Sequence, residues 1–218
     1  PIKEQLVARI QAVARRSLAE PEISQFENYL DQLVQIHTDQ AFLEWKDESL
    51  YGVHYGLYRE TQKRQPTEAL VRVFNPHPDL DGWHSHRTII YFCHTDIPFL
   101  VDSLRMALNR LDLNIQLFES NPLRVLRNAE GCLLQVCESA NQDAITEDHG
   151  FIVVDAMTDQ TEHLNIREEV LTTIGHVSII VSDFQPMLEH IDEVIAEYSQ
   201  LNSKPNNCIV WGERDDTD

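Results

Sequence analysis

Glycine is scarce in this chain, with seven in 218 residues. That leaves little material for a phosphate-cradling loop. No GxGxxG, P-loop, GxSxG or HExxH pattern occurs, so dinucleotide binding and the common hydrolytic chemistries have no local signature. Basic residues are also short: 17 Lys and Arg stand against 36 Asp and Glu, a formal charge of −19. A phosphate backbone is repelled by such a field, and there is no basic stripe to override it, so nucleic acid is not an expected partner. The four cysteines, Cys93, Cys132, Cys137 and Cys208, form no CxxC pair. Three of them lie in apolar runs and read as reduced core thiols. No stretch of about 18 apolar residues is present to span a bilayer, and the N-terminal "PIKEQLVARIQAVARR" lacks the apolar centre of a signal peptide. A cytoplasmic protein with no membrane partner is therefore expected. The start at Pro1 and the polar end "WGERDDTD" add the expectation of a piece of something longer.

What is present is enough apolar material, 42% of residues, to build a real core. Ile2, Leu6, Ile10 and Val13 recur at helical spacing. After Pro21 the pattern restarts with Phe26, Leu30, Leu33 and Val34, and Ser24 and Glu27 stand in capping-box spacing. A third helix follows Asp47, with Tyr51, Tyr55 and Tyr58 in a stripe that reads as core. The period then changes. "ALVRVFN" and "RTIIYFCHT" read as strands, and "DIPFLVDSLRMALNRLD" as a helix with Asp96 as its N-cap and Pro98 in its first turn. "NIQLFESNPLRVLRN" and "GCLLQVCES" form a hairpin turning at Gly131, and "GFIVVDAMT" is a further strand after the acidic, exposed "ANQDAITEDH". A helix from Leu164 to Ile174 is expected to stop at Gly175, "HVSIIVSDF" to be the last strand, and "PMLEHIDEVIAEYSQL" the final helix.

The expected fold class is thus α+β: a ferredoxin-like βαββαβ sheet with one extra strand before it, an internal hairpin, N-terminal helical additions and a C-terminal helix. The expected divisions are a helical segment at 1–66, the sheet domain at 67–186, and a helix and linker at 187–218. With two helices on one face of the sheet, the helices between Ile2 and Arg64 are expected to cover the other.

One loop has the composition of a metal site. "FNPHPDLDGWHSHRTII" packs His77, Asp79, Asp81, His84 and His86 into ten positions. Convergence of these donors would support a metal-dependent enzyme. Against it, Asp79 and Asp81 flank Leu80 and Gly82 as a turn requires, and His84 and His86, two residues apart at a strand entrance, are expected to face opposite sides. The adjacent pair Cys93 and His94 reads as a core thiol and an outward histidine by the same alternation.

"ALVRVFNP", "DGW", "DIPFLVDSLRMALNRLDLNIQL" and "NPLRVLRNAEG", with "ESLYGVHYGLYRETQKR" before and "VSDFQPM" after, resemble the N-terminal region of the large bacterial NAD-specific glutamate dehydrogenases. The resemblance implies non-catalytic, ACT-like regulatory modules, with NAD and the dehydrogenase chemistry belonging to downstream domains and no cofactor in this chain. It implies those downstream domains as partners, a second copy of the chain, and a small amino-acid effector bound by Asp96, Ile97, Pro98, Phe99, Leu100, Asn114 and Gln116. Phe99 stands where many amino-acid-binding ACT domains carry glycine.

Overall fold

In a computed structural model, residues 2–34, 40–137 and 143–202 are described. Residues Pro1–Ser178 form one compact unit and Ile179–Asp218 a second. The first unit opens with α1 (Ile2–Ser17), α2 (Glu22–Leu33), a 3-10 turn at Gln40–Glu44 and α3 (Asp47–Glu60). The apolar spacing does its expected work, burying Leu6, Ile10 and Val13 of α1 and Phe26, Tyr29, Leu30 and Leu33 of α2. The capping box does not form: Pro21 precedes α2 with no side-chain cap. Ser24 Oγ donates to Glu20, and Glu27 is taken by Arg15 at 2.7 Å.

Five strands follow: β1 (Leu70–Phe74), β2 (Thr88–Thr95), β3 (Ile115–Arg127), β4 (Leu133–Val136) and β5 (Ile145–Val154). A four-residue helix, α4 (Pro78–Asp81), lies between β1 and β2, and α5 (Leu100–Arg110) between β2 and β3. The sheet order is β1-β2-β5-β3-β4, with every neighbouring pair antiparallel. Since β2 and β3 both run antiparallel to β5, they are parallel to each other, and α5 is the crossover that joins them around β5. This is the split βαβ unit expected from the element order. The β3–β4 turn needs its glycine, because Gly131 has φ 80° and a Cβ there would lie 2.6 Å from the Arg64 carbonyl oxygen.

Three local expectations are corrected. His176–Phe184 is not a strand: it lies within α6, one helix from Gln160 to Asn202 that passes through Gly175 and contains Pro186. The sheet edge beside β2, where a closing ferredoxin strand would pair, is already filled by β1 in the register Leu70↔Cys93 to Phe74↔Ile89. Val170, Ile174 and Val177 meanwhile continue the buried helical period. Second, Asp96 does not cap α5. Its backbone N–H bonds to the Thr146 carbonyl, Pro98 lies ahead of the helix, and Phe99 takes the N-cap position with φ 68°. Third, β5 begins at Ile145 rather than Gly150, so Glu147, Asp148 and His149 are buried strand residues and not an exposed excursion.

The sheet separates two apolar cores. On one face Ile89, Tyr91, Phe151 and Val153 pack with α1, α2 and α3. Two glycines of α3 admit rings there: a Cβ on Gly52 would meet Trp83 at 2.2 Å, and one on Gly56 would meet the Tyr91 hydroxyl at 2.4 Å. That hydroxyl donates to the Val53 carbonyl at 2.9 Å. Tyr51, Tyr55 and Tyr58 pack around Phe26, so the tyrosine stripe is core. On the other face Ile90, Phe92, Ile152 and Val154 meet Leu100, Leu104 and Leu108 of α5 and Ile166, Val170 and Ile174 of α6. Full burial of each such leucine contributes about 1.5–3 kcal/mol, so these apolar stripes hold both helix layers to the sheet.

Candidate functional site

The residues expected to bind an effector separate into two groups. Asp96, Ile97, Pro98, Phe99 and Leu100 follow β2, whose last residue Thr95 pairs with Glu147 at the start of β5. Asn114 and Gln116 flank Ile115, which pairs with Val154 at the far end of β5, and both side-chain amides donate to the Asp155 carboxylate. Seven residue steps of strand separate the two ends, about 23 Å at ~3.3 Å per residue. Within one chain, a single small molecule does not reach both. In the first group Asp96 and Phe99 are exposed and Leu100, the first residue of α5, is buried in the core beneath that helix's apolar face.

The His/Asp loop is a turn with its own partners. His77 precedes α4, and its Nδ1 accepts from the Asp79 N–H. Asp81 accepts from the His77 N–H at 2.9 Å and from Arg72 at 2.6 Å. Asp79 is exposed. His84 and His86 lie in a bend before β2, so they do not diverge as strand neighbours would, and their ring centroids are 4.5 Å apart. Among the described residues, the five loop donors do not meet as a set of three or more at metal-binding spacing.

The donor set that does meet is Cys93, Glu147 and His149. Glu147 and His149 share the face of β5 turned toward the N-terminal helices, and Cys93 on β2 is the direct partner of His149. Glu147 is fully buried. Its Oε1 accepts from Arg64 Nη2 at 2.6 Å and Arg127 Nε at 2.8 Å, and its Oε2 accepts from Arg127 Nη2 at 2.8 Å and His149 Nε2 at 3.0 Å. Arg127 thus grips the carboxylate with a two-pronged fork. The Cys93 thiol donates to Oε2 at 3.5 Å.

Electrostatics fixes each proton. Burial by itself would raise the Glu147 carboxyl, but the hydrogen bonds from Arg127, His149 and Arg64 outweigh it and hold the group well below the ordinary range. Burial lowers His149, keeping the ring neutral. With Nε2–H donating to Glu147, Nδ1 accepts from the Tyr29 hydroxyl at 3.1 Å, and burial pushes that phenol up so that it keeps its proton. Burial and the Glu147 charge push the Cys93 thiol well up.

This arrangement does not suit a metal ion. The carboxylate is saturated by two guanidinium groups, the thiol is held protonated, and a divalent cation would meet two fixed positive charges balanced by one negative charge. Nor does it suit substrate chemistry. The adjoining cavity, bordered by Leu57, Asn121, His149 and Phe151, is about 10 Å³, room for one water at most. What the cluster does is join elements. Arg64 also donates to the carbonyls of Gln65, Pro66 and Glu68, and Arg127 to those of Thr61 and Gly131. The segment after α3, β2, β3 and β5 meet at one carboxylate, and the β3–β4 turn and α2 join it through Arg127 and His149.

None of Tyr29, Arg64, Arg127, Glu147 and His149 stood out in the sequence. The one available signal was the alternation of Glu147 and His149 ahead of "GFIVV". His94, expected outward, is buried, its ring bonding the Thr95 carbonyl at 2.8 Å. Cys93 and Cys137 are buried free thiols and Cys132 is partly exposed; Cys208 lies outside the described residues. Open grooves lie elsewhere on the surface of the described residues. One, of about 250 Å³, lies between α2 and β4 beside Gln25, Asn28 and Gln135. Another, of about 240 Å³, lies between α3 and β1 beside Arg59, Lys63 and Arg72.

An α+β sheet built on a split βαβ unit, with a saturated ionic cluster sealed inside, defines a class: an ACT-like module. The chain belongs to the family of glutamate dehydrogenase ACT1 domains, whose pattern its residues 29–170 match. Among curated relatives, the NAD-specific glutamate dehydrogenase of Pseudomonas aeruginosa is 27% identical over 189 residues, covering 86% of this chain and 12% of that protein. The NAD-specific glutamate dehydrogenase of Halomonas elongata is 33% identical over 152 residues, 69% of this chain and 9% of that protein. The chain therefore spans about a tenth of the length of these relatives. No solved structure matches it. Among the described residues, no helix is long and apolar enough to cross a membrane.

Proposed function

We propose that this chain is a non-catalytic regulatory and assembly module of a large NAD-specific glutamate dehydrogenase of the cytoplasm. The parent oxidises L-glutamate to 2-oxoglutarate with NAD, and both the cofactor and the chemistry belong to domains outside this chain. The observation that carries the reading is the match of 142 residues, 29–170, to a domain of that enzyme family, in relatives of which this chain covers only 9% to 12%. The sealed Glu147 cluster supports it, since the set of metal-ligating and nucleophilic side chains that meets among the described residues is spent on holding layers together. Within the module we assign effector contact to the loop Asp96–Leu100, where exposed Asp96 and Phe99 adjoin the start of α5. The strands β1 and β4, which end the sheet, are the edges offered to neighbouring domains or a second copy.

The test is an assay of the rigorously purified chain for glutamate-dependent NAD reduction. The expected result is no turnover above buffer. Turnover that rises in proportion to the concentration of the chain overturns the reading.

A further inference from the structure

The second unit carries a face that the module reading does not explain. Within α6, Ile180, Phe184, Met187, Ile191, Val194 and Tyr198 are each between 46% and 68% exposed. Their steps are four, three, four, three and four residues, the repeat that places every member on one seam of a helix. Large apolar residues scattered singly on a surface need no explanation, but six in strict register along one helix do. The alternation of three and four matches the seam by which one helix packs lengthwise against another.

Charge decides which helix fits. From residue 179 to residue 202 the sequence contains Asp183, Glu189, Asp192, Glu193 and Glu197 and no Lys or Arg. Pairing with a second copy brings two segments of five acids each together with no base between them. Anionic lipid surfaces are repelled for the same reason. A helix that carries Lys or Arg beside its own apolar seam offers the opposite charge to this acidic segment. We propose that the seam Ile180–Tyr198 is a docking face for a basic amphipathic helix. This names a partner for the assembly role but does not depend on the parent's reaction: turnover by the pure chain would remove the module reading and leave this binding result untouched.

The test uses the full 218-residue chain and two fluorescent synthetic peptides of about four heptads, both with Leu at the seam positions, one flanked by Lys and the other by Glu. Anisotropy titration is expected to show binding of the Lys peptide, weakened by added salt, and at least ~10-fold weaker binding of the Glu peptide. The double variant Phe184→Asp with Ile191→Asp is expected to lose ~10-fold or more in affinity for the Lys peptide with the melting temperature of the chain unchanged. Because that variant adds negative charge, unspecific attraction of a basic peptide would rise rather than fall, so a loss reports the seam. The proposal is overturned by no binding of the Lys peptide, equal binding of both peptides, undiminished binding by the double variant, or sedimentation as a dimer that the variant dissociates, which would make a second copy the occupant. Binding to phosphatidylserine vesicles that the variant abolishes would overturn it in favour of a membrane surface.

Discussion

Glu147 and Asp148 are neighbours on one strand, both buried, and they live in opposite electrical worlds. Glu147 points to the face covered by the N-terminal helices, where Arg64, Arg127 and His149 supply every hydrogen bond its oxygens accept at short range. Asp148 points to the other face, where the Ser120 hydroxyl donates to it at 3.2 Å and the like charge of Asp96 acts on it. Burial, and next the Asp96 charge, raise the Asp148 carboxyl from 3.8 to about 6. The difference teaches that burial alone does not set the cost of a carboxylate; the partners on its side of the sheet do.

The pH trends of the two groups run in opposite directions. The depressed Glu147 contributes stability that is present above its ordinary range and lost as the pH falls toward its folded value. The raised Asp148 contributes stability that is present below 3.8 and lost as the pH rises through about 6. At neutral pH one carboxylate therefore helps the fold and its neighbour opposes it.

The largest effect comes from breaking the paired side. Glu147→Gln leaves two buried guanidinium groups without a counter-charge, and chemical denaturation at pH 7 is expected to show a loss of about 3–5 kcal/mol. A loss under 1 kcal/mol would mean that the arginines reach water and that the cluster does not hold the layers together. The unpaired side is expected to respond with the opposite sign. Asp148→Asn removes a charge the fold resists, so stability at pH 8 is expected to rise by about 1–2 kcal/mol, with no gain at pH 3.5. Denaturation curves at the two pH values check this, and an equal gain at both would assign the effect to packing rather than charge. The smallest effect sharpens the comparison at the mouth of that second face. Phe99 is 72% exposed and holds φ 68°. Phe99→Gly removes the left-handed strain at the cost of a freer unfolded chain, for an expected gain of about 0.5–1 kcal/mol. A loss in thermal melting would show that the ring makes contacts that outweigh the strain.

The sequence by itself determined the helices α1 to α3 and α5, the run of five strands, the glycine turn at Gly131 and the family. Each of these rests on local spacing or local backbone need, which a chain carries wherever it sits. It also led to the expectation that the helices before Arg64 cover a sheet face, since a half-covered sheet has apolar residues to spare. Tertiary structure decided the rest. "HVSIIVSDF" has the β-branched composition of a strand, yet it lies in α6, because β1 had already filled the edge of β2 where it would pair. Asp96 has the residue type of a cap, but its position beside Thr146 gave its N–H another partner. The Glu147 cluster was the least legible of all. It gathers Tyr29, Arg64, Cys93, Arg127 and His149 from five separate stretches of the chain, and hydrogen bonds between residues as far apart as Tyr29 and His149 leave no period in the sequence. Spacing reports what neighbours along the chain do together. The partner of a buried charge is chosen by the sheet order, and only the folded sheet contains it.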